Sequence, residues 1–558
     1  MKNKFLLLLI AMCGALASCS DLFDTDTSAV IVDRGQQLNS PNDSLYSVMG
    51  ILSQTQRLGE RYVVLGELRS DLMSTTPEAD VALKELCNHT ATDSNPYADP
   101  TDFYSVVNNC NYAIERMDTT VAIYQTRVLV PEYVAIKVIR DWTLFQTALV
   151  YGETPWMDRP ILSVEDATAH YAPIGIDDVA QRIIDDLTPH IGVRPLDYGT
   201  IDGFASARFF YPIEILVADM HLFLGHYEDA ARLYTRYISD HRLTLTNGYA
   251  NSWARDTRQQ AYINHTGSYQ GEMLCGIPFS SNLRDEHPAL VRLTYNAAPA
   301  IVPSEQYLQQ MEHAMFFYAE AGALSIGNYF EGDLRGQAQA VGGHVQPSSY
   351  GTQQLGTVTR PRIMKYINSA QLNETASDPQ NTAVRGLYTT RIVPTLRTPH
   401  IYLRLAEALN RMGKPTLAFA ILKYGLNYDT LENPDRIDPA ELESTEGWLD
   451  FSWIRSSDGN ANVGTASRGR GRGVALDTEN YILPRIDAPW TETTVEDEEG
   501  NVTTVMTPPA ADVEALETMI LDELAAETAF EGNRFFDLLR VARHRGTTDG
   551  IWFLKRSK

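Results

Sequence analysis

The sequence predicts a mainly α-helical chain that folds as one large domain. Apolar residues recur at helical spacing in the first half of the chain and again near its end, and no clean linker divides it. The chain has 558 residues, of which 44% are hydrophobic, so it is too apolar to be disordered and long enough for a large core. We therefore expect a helical domain over 41–558 with long irregular insertions.

The clearest helical pattern is an apolar stripe at i, i+3, i+4, i+7, i+11 and i+14, formed by Phe103, Val106, Val107, Cys110, Ile114 and Met117. Residues 132–151 predict a long helix that ends at Gly152, with Pro155 beyond it. Further helical pairs are predicted at 213–224 with 228–240, 401–412 with 416–427, and 513–530 with 535–544.

Two of these pairs share one spacing. Gly225 ends a helix five residues before Ala230, and Gly413 stands five residues before Ala418. Tetratricopeptide repeats use this device, because glycine permits the tight turn and alanine lets the two helices approach closely. The alternative is an ordinary helical hairpin with a glycine turn. The spacing favours tetratricopeptide-like hairpins in a scaffold without a strict repeat array.

The predicted scaffold has two gaps. Helical segments cover about 41–242, 391–427 and 511–545, whereas 243–390 and 428–510 are rich in Gly, Asn, Thr, Pro and Tyr and show little periodicity. Long loops of this kind are often functional. Their aromatic content predicts packed but irregular insertions on the side of the molecule that meets a ligand.

The N-terminus predicts export and a lipid anchor. Lys2 and Lys4 precede an apolar run over 5–12, which is too short to span a bilayer and is typical of a secretory signal. Leu16-Ala17-Ser18-Cys19 resembles a bacterial lipobox, so we expect residues 1–18 to be removed, Cys19 to be fatty-acylated and 19–40 to form a tether. The alternative is cleavage by ordinary signal peptidase, with Cys19 incidental.

Composition excludes several classes of function. A net charge of −25 disfavours nucleic-acid binding, and five cysteines exclude a disulfide-built scaffold. The sequence contains no HExxH, GxSxG or GxxxxGK[ST] motif, so we expect neither an enzyme nor a cofactor. The acidic clusters at Asp24/Asp26 and 496–499 lack EF-hand spacing, which favours solvated charge over a structural calcium site, and no metal site is predicted.

The segment 467–474 alternates arginine and glycine. It lacks the third glycine of a dinucleotide-binding loop, because Val474 stands there. Its three arginines, Arg468, Arg470 and Arg472, could bind a ligand carboxylate or pair with the protein's own acids. We favour pairing.

The strongest motif runs from Glu527 to Arg540 (ETAFEGNRFFDLLR). With the ordered blocks at 151–156, 303–307, 333–335, 365–366 and 393–408, it resembles the SusD/RagB family of Bacteroidetes outer-membrane lipoproteins. Within it, Glu531, Arg534 and Asp537 are spaced to form a charged ladder, while Phe530, Phe535 and Leu538 enter the core. We interpret this motif as structural rather than as a site.

The resemblance implies a helical SusD-like domain that covers a SusC-like TonB-dependent barrel as a lid. It implies capture of oligosaccharides or, as the alternative, oligopeptides, on the cell exterior and without catalysis. By position in the family, Tyr97, Trp253 and Tyr295 are candidates to stack on ligand, with Asn95 and Arg284 as hydrogen-bonding partners. A surface glycosidase and a repeat scaffold without a small ligand are the rival interpretations.

Overall fold

Helices dominate the residues described by the structure, a computed structural model. Those residues are 38, 40–168, 171–201, 204–245, 272–279, 290–294, 298–319, 327–333, 335–336, 340–341, 344–345, 349–355, 358–363, 365–366, 392–456, 462–470, 481–496, 502–507, 509–549 and 551–555.

The α-helices in these ranges are α1 (Pro41–Val63), α2 (Val81–Cys87), α3 (Thr101–Arg116), α4 (Val130–Tyr151), α5 (Val164–Thr168), α6 (Ile176–Leu187), α7 (Ile213–Phe223), α8 (Tyr227–His241), α9 (Leu290–Thr294), α10 (Glu305–Glu312), α11 (Thr398–Arg411), α12 (Pro415–Lys423), α13 (Tyr428–Leu431), α14 (Thr465–Arg470), α15 (Val513–Thr528) and α16 (Arg534–His544). A π-helical segment, Val64–Leu68, continues α1.

The strands in the same ranges pair two by two, and each pair is antiparallel. They are β1 (Met73–Thr75) with β9 (Ile301–Pro303), β2 (Ala122–Ile123) with β3 (Thr126–Arg127), β4 (Glu153–Pro155) with β5 (Pro173–Gly175), β6 (Thr200–Ile201) with β7 (Phe204–Ala205), β8 (Met273–Pro278) with β16 (Ile392–Arg397), β10 (Met315–Ala319) with β11 (Gly327–Glu331), β12 (Ala340–Val341) with β13 (His344–Val345), β14 (Tyr350–Leu355) with β15 (Val358–Ile363), and β17 (Thr491–Glu496) with β18 (Val502–Thr507).

Two large apolar clusters form most of the core of the described residues. The larger one lies among α1, α3, α4 and α6, where Phe103, Val106 and Cys110 of the predicted stripe are buried, and Val107 is buried in a small third cluster with Leu144 and Met157. The second lies among α8, α11, α12 and α15. Helix α11 packs against both α8 and α15, and so joins the first helical hairpin to the C-terminal helices.

The predicted mainly helical fold class is confirmed. Helix α4 ends where predicted, at Gly152, whose φ of 80° is the left-handed conformation that glycine adopts readily at a helix end. The pairs α7/α8 and α11/α12 form the expected hairpins, and Gly225 and Gly413 occupy the same left-handed region at their turns. Within the described ranges, none of the helices combines the length and apolarity that crossing a membrane would require.

Two details differ from the prediction. Helix α12 ends at Lys423 rather than near 427, because Gly425 has a φ of 77° and an added Cβ there would lie 2.4 Å from the Asn462 backbone. The range 428–510 is less irregular than expected, since it contains α13, α14 and the β17–β18 hairpin. Elements this short bury too few residues to leave a periodic pattern in the sequence.

Candidate ligand-binding face

The structure describes two of the predicted ligand-binding residues, Tyr97 and Asn95. Trp253, Tyr295 and Arg284, like the predicted lipidation site Cys19, lie outside the described residues. Tyr97 and Asn95 belong to the loop between α2 and α3, which is the loop that the family resemblance indicated. Their roles in ligand binding stay predictions, and the geometry of this loop shows what each side chain is free to do.

Asn95 shapes the turn that carries Tyr97. Its side-chain oxygen accepts a hydrogen bond from the Tyr97 backbone N–H (3.0 Å), which caps the short 3₁₀ turn Pro96–Ala98. Its amide nitrogen donates to the Ala82 carbonyl (3.0 Å) and to Glu85 Oε2 (2.8 Å). The side chain is buried, so Asn95 positions the aromatic residue and presents little polar surface of its own.

Two residues of α1 hold the Tyr97 side chain in place. Its hydroxyl donates to Glu60 Oε1 (2.7 Å), and the Arg61 guanidinium lies 5.8 Å from the ring centroid. Burial and the Glu60 carboxylate raise the pKa of the Tyr97 hydroxyl, so the side chain stays neutral. Arg61 also donates to the backbone carbonyl oxygens of Tyr97 (2.8 Å) and Asp99 (2.5 Å). The half-buried ring is therefore held in one orientation before any ligand arrives.

The neighbouring surface is open and mixed in character. Val81, at the start of α2, is 71% exposed. Glu78 pairs with Arg360 of β15 (2.8 Å), and Thr76 donates through its hydroxyl to the Pro299 carbonyl (2.6 Å). The chain around 299–303 and the β14–β15 hairpin, both from the range predicted as ligand-side insertion, thus lie beside the helix that leads to Tyr97.

A cleft behind this face does not suit a ligand. It lies between α1, α3, α4 and α16, and Arg61, Phe103 and Trp142 contribute to its walls. Its free volume of about 20 Å³ is room for one water molecule, not for a sugar ring. This cleft is therefore too small to serve as a sugar-binding pocket.

Three exposed aromatic residues of the described ranges, Tyr124, Tyr428 and Trp490, were not predicted as site residues. Tyr124, at the tip of the β2–β3 hairpin, is 98% exposed, and Trp490, before β17, is 57% exposed. Tyr124 and Gln125 both have positive φ (47° and 68°), as a two-residue hairpin turn requires. The dipeptide Tyr124-Gln125 is not one of the Asn-Gly or Asp-Gly pairs that signal such a turn, so the sequence did not indicate the hairpin.

The C-terminal motif is buried, but its predicted charged ladder is wrong. Glu531 precedes α16 and binds Lys365 (2.6 Å) and Arg397 (2.8 Å). Arg534 binds Asp71 (2.7 Å), and Asp537 binds Arg540 (2.8 Å). Because the helix starts only at Arg534, the helical spacing assumed for Glu531 does not exist.

The apolar part of the motif is nearly as predicted. Phe530 and Phe535 are buried, whereas Leu538 is only half-buried. Phe536, which the motif analysis did not place in the core, is buried against Phe145 and Phe223.

The arginines of the Arg/Gly segment also pair with acids of the protein. Arg468 is buried and binds Glu272 (2.8 Å) and Glu527 (3.2 Å). Arg470 lies 3.6 Å from Glu523. This agrees with the favoured interpretation of the segment, and Arg472 lies outside the described residues.

The fold defines a class of helical-repeat proteins. It combines a helical scaffold with two hairpins of the tetratricopeptide kind, small two-stranded sheets and a buried C-terminal motif. No protein-family model matches the chain. It is 23% identical over 438 residues to a SusD-like protein of Formosa agariphila, a match that covers 75% of this chain and 79% of that relative.

Solved structures show the same fold. A SusD superfamily protein from Bacteroides thetaiotaomicron VPI-5482 superposes with a TM-score of 0.55 at 17% identity, over 92% of each chain. A SusD-like protein from Bacteroides fragilis NCTC 9343 gives a TM-score of 0.53 at 15% identity, over 90% of this chain and 87% of that one. The chain therefore has the SusD-like fold that the sequence motifs predicted.

Proposed function

We propose that this chain captures oligosaccharides at the cell surface and passes them to a SusC-like TonB-dependent transporter, over which it acts as a lid. The SusD-like fold supports a nutrient-binding surface protein. The observation that carries the proposal furthest is the Tyr97 turn: an aromatic ring, held by Glu60 and Arg61, at an open and mixed surface. Flat aromatic faces of this kind stack on the apolar faces of sugar rings.

An oligopeptide is the second candidate ligand. The sequence argument for it was that the arginines of 467–474 would bind a peptide carboxylate. In the structure Arg468 is buried against Glu272 and Glu527, and Arg470 lies beside Glu523 and Asp333. These two arginines already have carboxylate partners, so the glycan is favoured.

The proposed lid performs no chemistry. A lid needs a ligand affinity that differs between its open and closed states, and this requires no reaction centre. A surface glycosidase would release reducing ends from a glycan, and that activity would disappear with a single carboxylate-to-amide change. A scaffold without a small ligand would co-purify with the SusC-like transporter but bind no glycan or peptide. Both outcomes contradict the proposal.

The test is calorimetry of the soluble protein (residues 20–558) against a panel of oligosaccharides and peptides. Once a glycan binds, Tyr97→Ala is expected to weaken it by about 1–3 kcal/mol, because a stacking aromatic face is lost. Tyr124→Ala is the matched control, since it removes an equally large aromatic residue from an exposed hairpin tip elsewhere. Equal affinity in wild type and Tyr97→Ala would exclude Tyr97 from the site.

A further inference from the structure

Three metal-ligating side chains converge at the turn of the first helical hairpin. His221 lies in the last turn of α7, His226 directly precedes α8, and Asp229 lies in the first turn of α8. Each offers one ligand atom, and these atoms all lie within 4.8 Å of one another. The two Nδ1 atoms of the histidines are 3.3 Å apart.

The backbone of the turn fixes this convergence. Gly225 has a φ of 80°, which allows its N–H to bond the Leu222 carbonyl (3.1 Å) and the His226 N–H to bond the His221 carbonyl (2.9 Å). This nested pair of bonds is the Schellman motif of helix ends. The second bond joins the same two residues, His221 and His226, whose imidazoles meet. His226 is the N-cap of α8 and Asp229 is its third residue, and side chains at these two positions lie next to each other.

The distances fit a tetrahedral zinc ion. Zinc–nitrogen bonds of about 2.0–2.1 Å at tetrahedral angles place two ligand nitrogens about 3.3–3.4 Å apart. Without an ion, the same contact is a hydrogen bond between the two imidazoles, so one Nδ1 carries a proton that zinc would replace. His226 and Asp229 are exposed and His221 is half-buried, so an ion can reach all three. Two imidazoles and one carboxylate are a common ligand set for zinc.

A second cluster of the described residues, Glu407, Glu517 and His544, is chemically different. Arg540 donates two hydrogen bonds to Glu407, and Arg411 and Arg545 bind Glu517. These guanidinium groups already neutralise both carboxylates, and a divalent ion would have to displace them. Among the described residues, no guanidinium group hydrogen-bonds to His221, His226 or Asp229, so none would have to be displaced by an ion.

We propose that the α7/α8 turn binds a zinc ion through Nδ1 of His221, Nδ1 of His226 and the Asp229 carboxylate, with a fourth position left to water. The ion joins the last turn of one helix to the first turn of the next. This site is independent of the proposed glycan face, because it uses none of the residues around Tyr97.

The test is titration of the tag-free soluble protein with ZnCl2 by calorimetry, and with CoCl2 by visible absorption. We expect one equivalent of each metal to bind, with cobalt giving the intense bands of tetrahedral coordination. His226→Ala should weaken binding at least about tenfold. His313→Ala is the matched control, since His313 is also exposed and lies at the end of a different helix, α10.

Asp229→Asn provides a second variant in case His226→Ala affects folding. It keeps the size of the side chain and should also weaken zinc binding, and circular dichroism verifies that both variants are folded. Zinc should raise the thermal midpoint of the wild type but not of either variant. Absence of binding, or equal binding by wild type, His226→Ala and Asp229→Asn, would overturn the proposal.

Discussion

Glu67 is a fully buried residue whose carboxyl group links the segment after α1 to the segment before α16. It lies in the π-helical segment after α1, and its Oε1 accepts a hydrogen bond from the Gly532 N–H (2.7 Å) just before α16. Its Oε2 is buried and has no hydrogen-bond partner among the residues that the structure describes. Burial raises the pKa of Glu67 from its ordinary value of 4.5 to about 8, although the backbone N–H groups of Gly532 and Arg534 act in the opposite direction.

This shift predicts a loss of stability on the alkaline side. A raised folded-state pKa gives stability that is complete below pH 4.5 and is lost as pH rises through about 8, by up to about 1.4 kcal/mol per pH unit. Glu67→Gln removes the ionisation. We expect the free energy of unfolding, measured with urea between pH 5 and 9, to fall less steeply with pH in this variant than in wild type. Parallel curves would contradict the shift.

Glu407 supplies the control of opposite sign. Arg540 donates two hydrogen bonds to it, and opposite charge outweighs burial, so its pKa is lowered to about 2. A lowered folded-state pKa gives stability that is present above pH 4.5 and lost as pH falls towards 2. Glu407→Gln should therefore alter the free energy of unfolding only below about pH 5, in a urea series extended to about pH 2, and leave the slope between pH 5 and 9 unchanged.

The sequence alone could suggest Tyr97 as an aromatic candidate, but it could not show that the Asn95 side chain caps the turn that carries it. The pattern Asn95-Pro96 signals a capped turn as well as it signals an exposed amide, and in the fold the cap uses the side-chain oxygen. Which acceptor meets the amide nitrogen depends on α2, which a one-dimensional pattern does not place. Glu60 and Arg61 were missed for the same reason, because they come from α1.

At the scale of elements, helices and hairpins were predictable where a local signal exists. Apolar periodicity indicated α3 and α4, and glycine spacing indicated the turns of α7/α8 and α11/α12. The end of α12 was not predictable, because Gly425 is required by the approach of the backbone around Asn462, 37 residues away. The two-stranded sheets are short and depend on partners distant in the sequence, so they leave little periodicity.

The hairpin turns give a prediction with an internal control. Gly413 has a φ of 77° and open space around it, so Gly413→Ala should cost about 1 kcal/mol from backbone strain alone. Gly50 lies within α1, where an added Cβ also meets no atom within 4 Å, and Gly50→Ala should stabilise the protein by about 0.5–1 kcal/mol. Urea denaturation measures both, and effects of equal sign would contradict the assigned turn.

At the scale of the whole molecule, the separate sequence blocks meet at the C-terminal helices. Arg335 binds Glu523 (2.9 Å) and Glu527 (3.1 Å), and Lys365 binds Glu531 (2.6 Å). Both cations come from the predicted insertion 243–390, and all five side chains are buried.

Removing one partner from such a buried pair costs about 3–5 kcal/mol, because the other charge is left uncompensated. The order of the blocks along the chain is therefore explained by one packing requirement. The sequence shows the blocks, whereas their convergence requires the folded chain.

We predict that the attachment of the whole molecule to the membrane depends on Cys19, which lies outside the described residues. Several acyl chains on this cysteine would anchor the protein stably, since each buried CH₂ contributes about 0.8 kcal/mol and a single chain binds only marginally. In the native host, Cys19→Ala should abolish labelling by a palmitate analogue and move the protein from the outer-membrane fraction to a soluble one. Cys13→Ala, within the predicted signal, is the control and should leave both unchanged. Continued labelling of the Cys19→Ala protein would contradict the lipobox assignment. It would leave the fold and the proposed glycan face unaffected, because both lie in residues that follow the predicted tether.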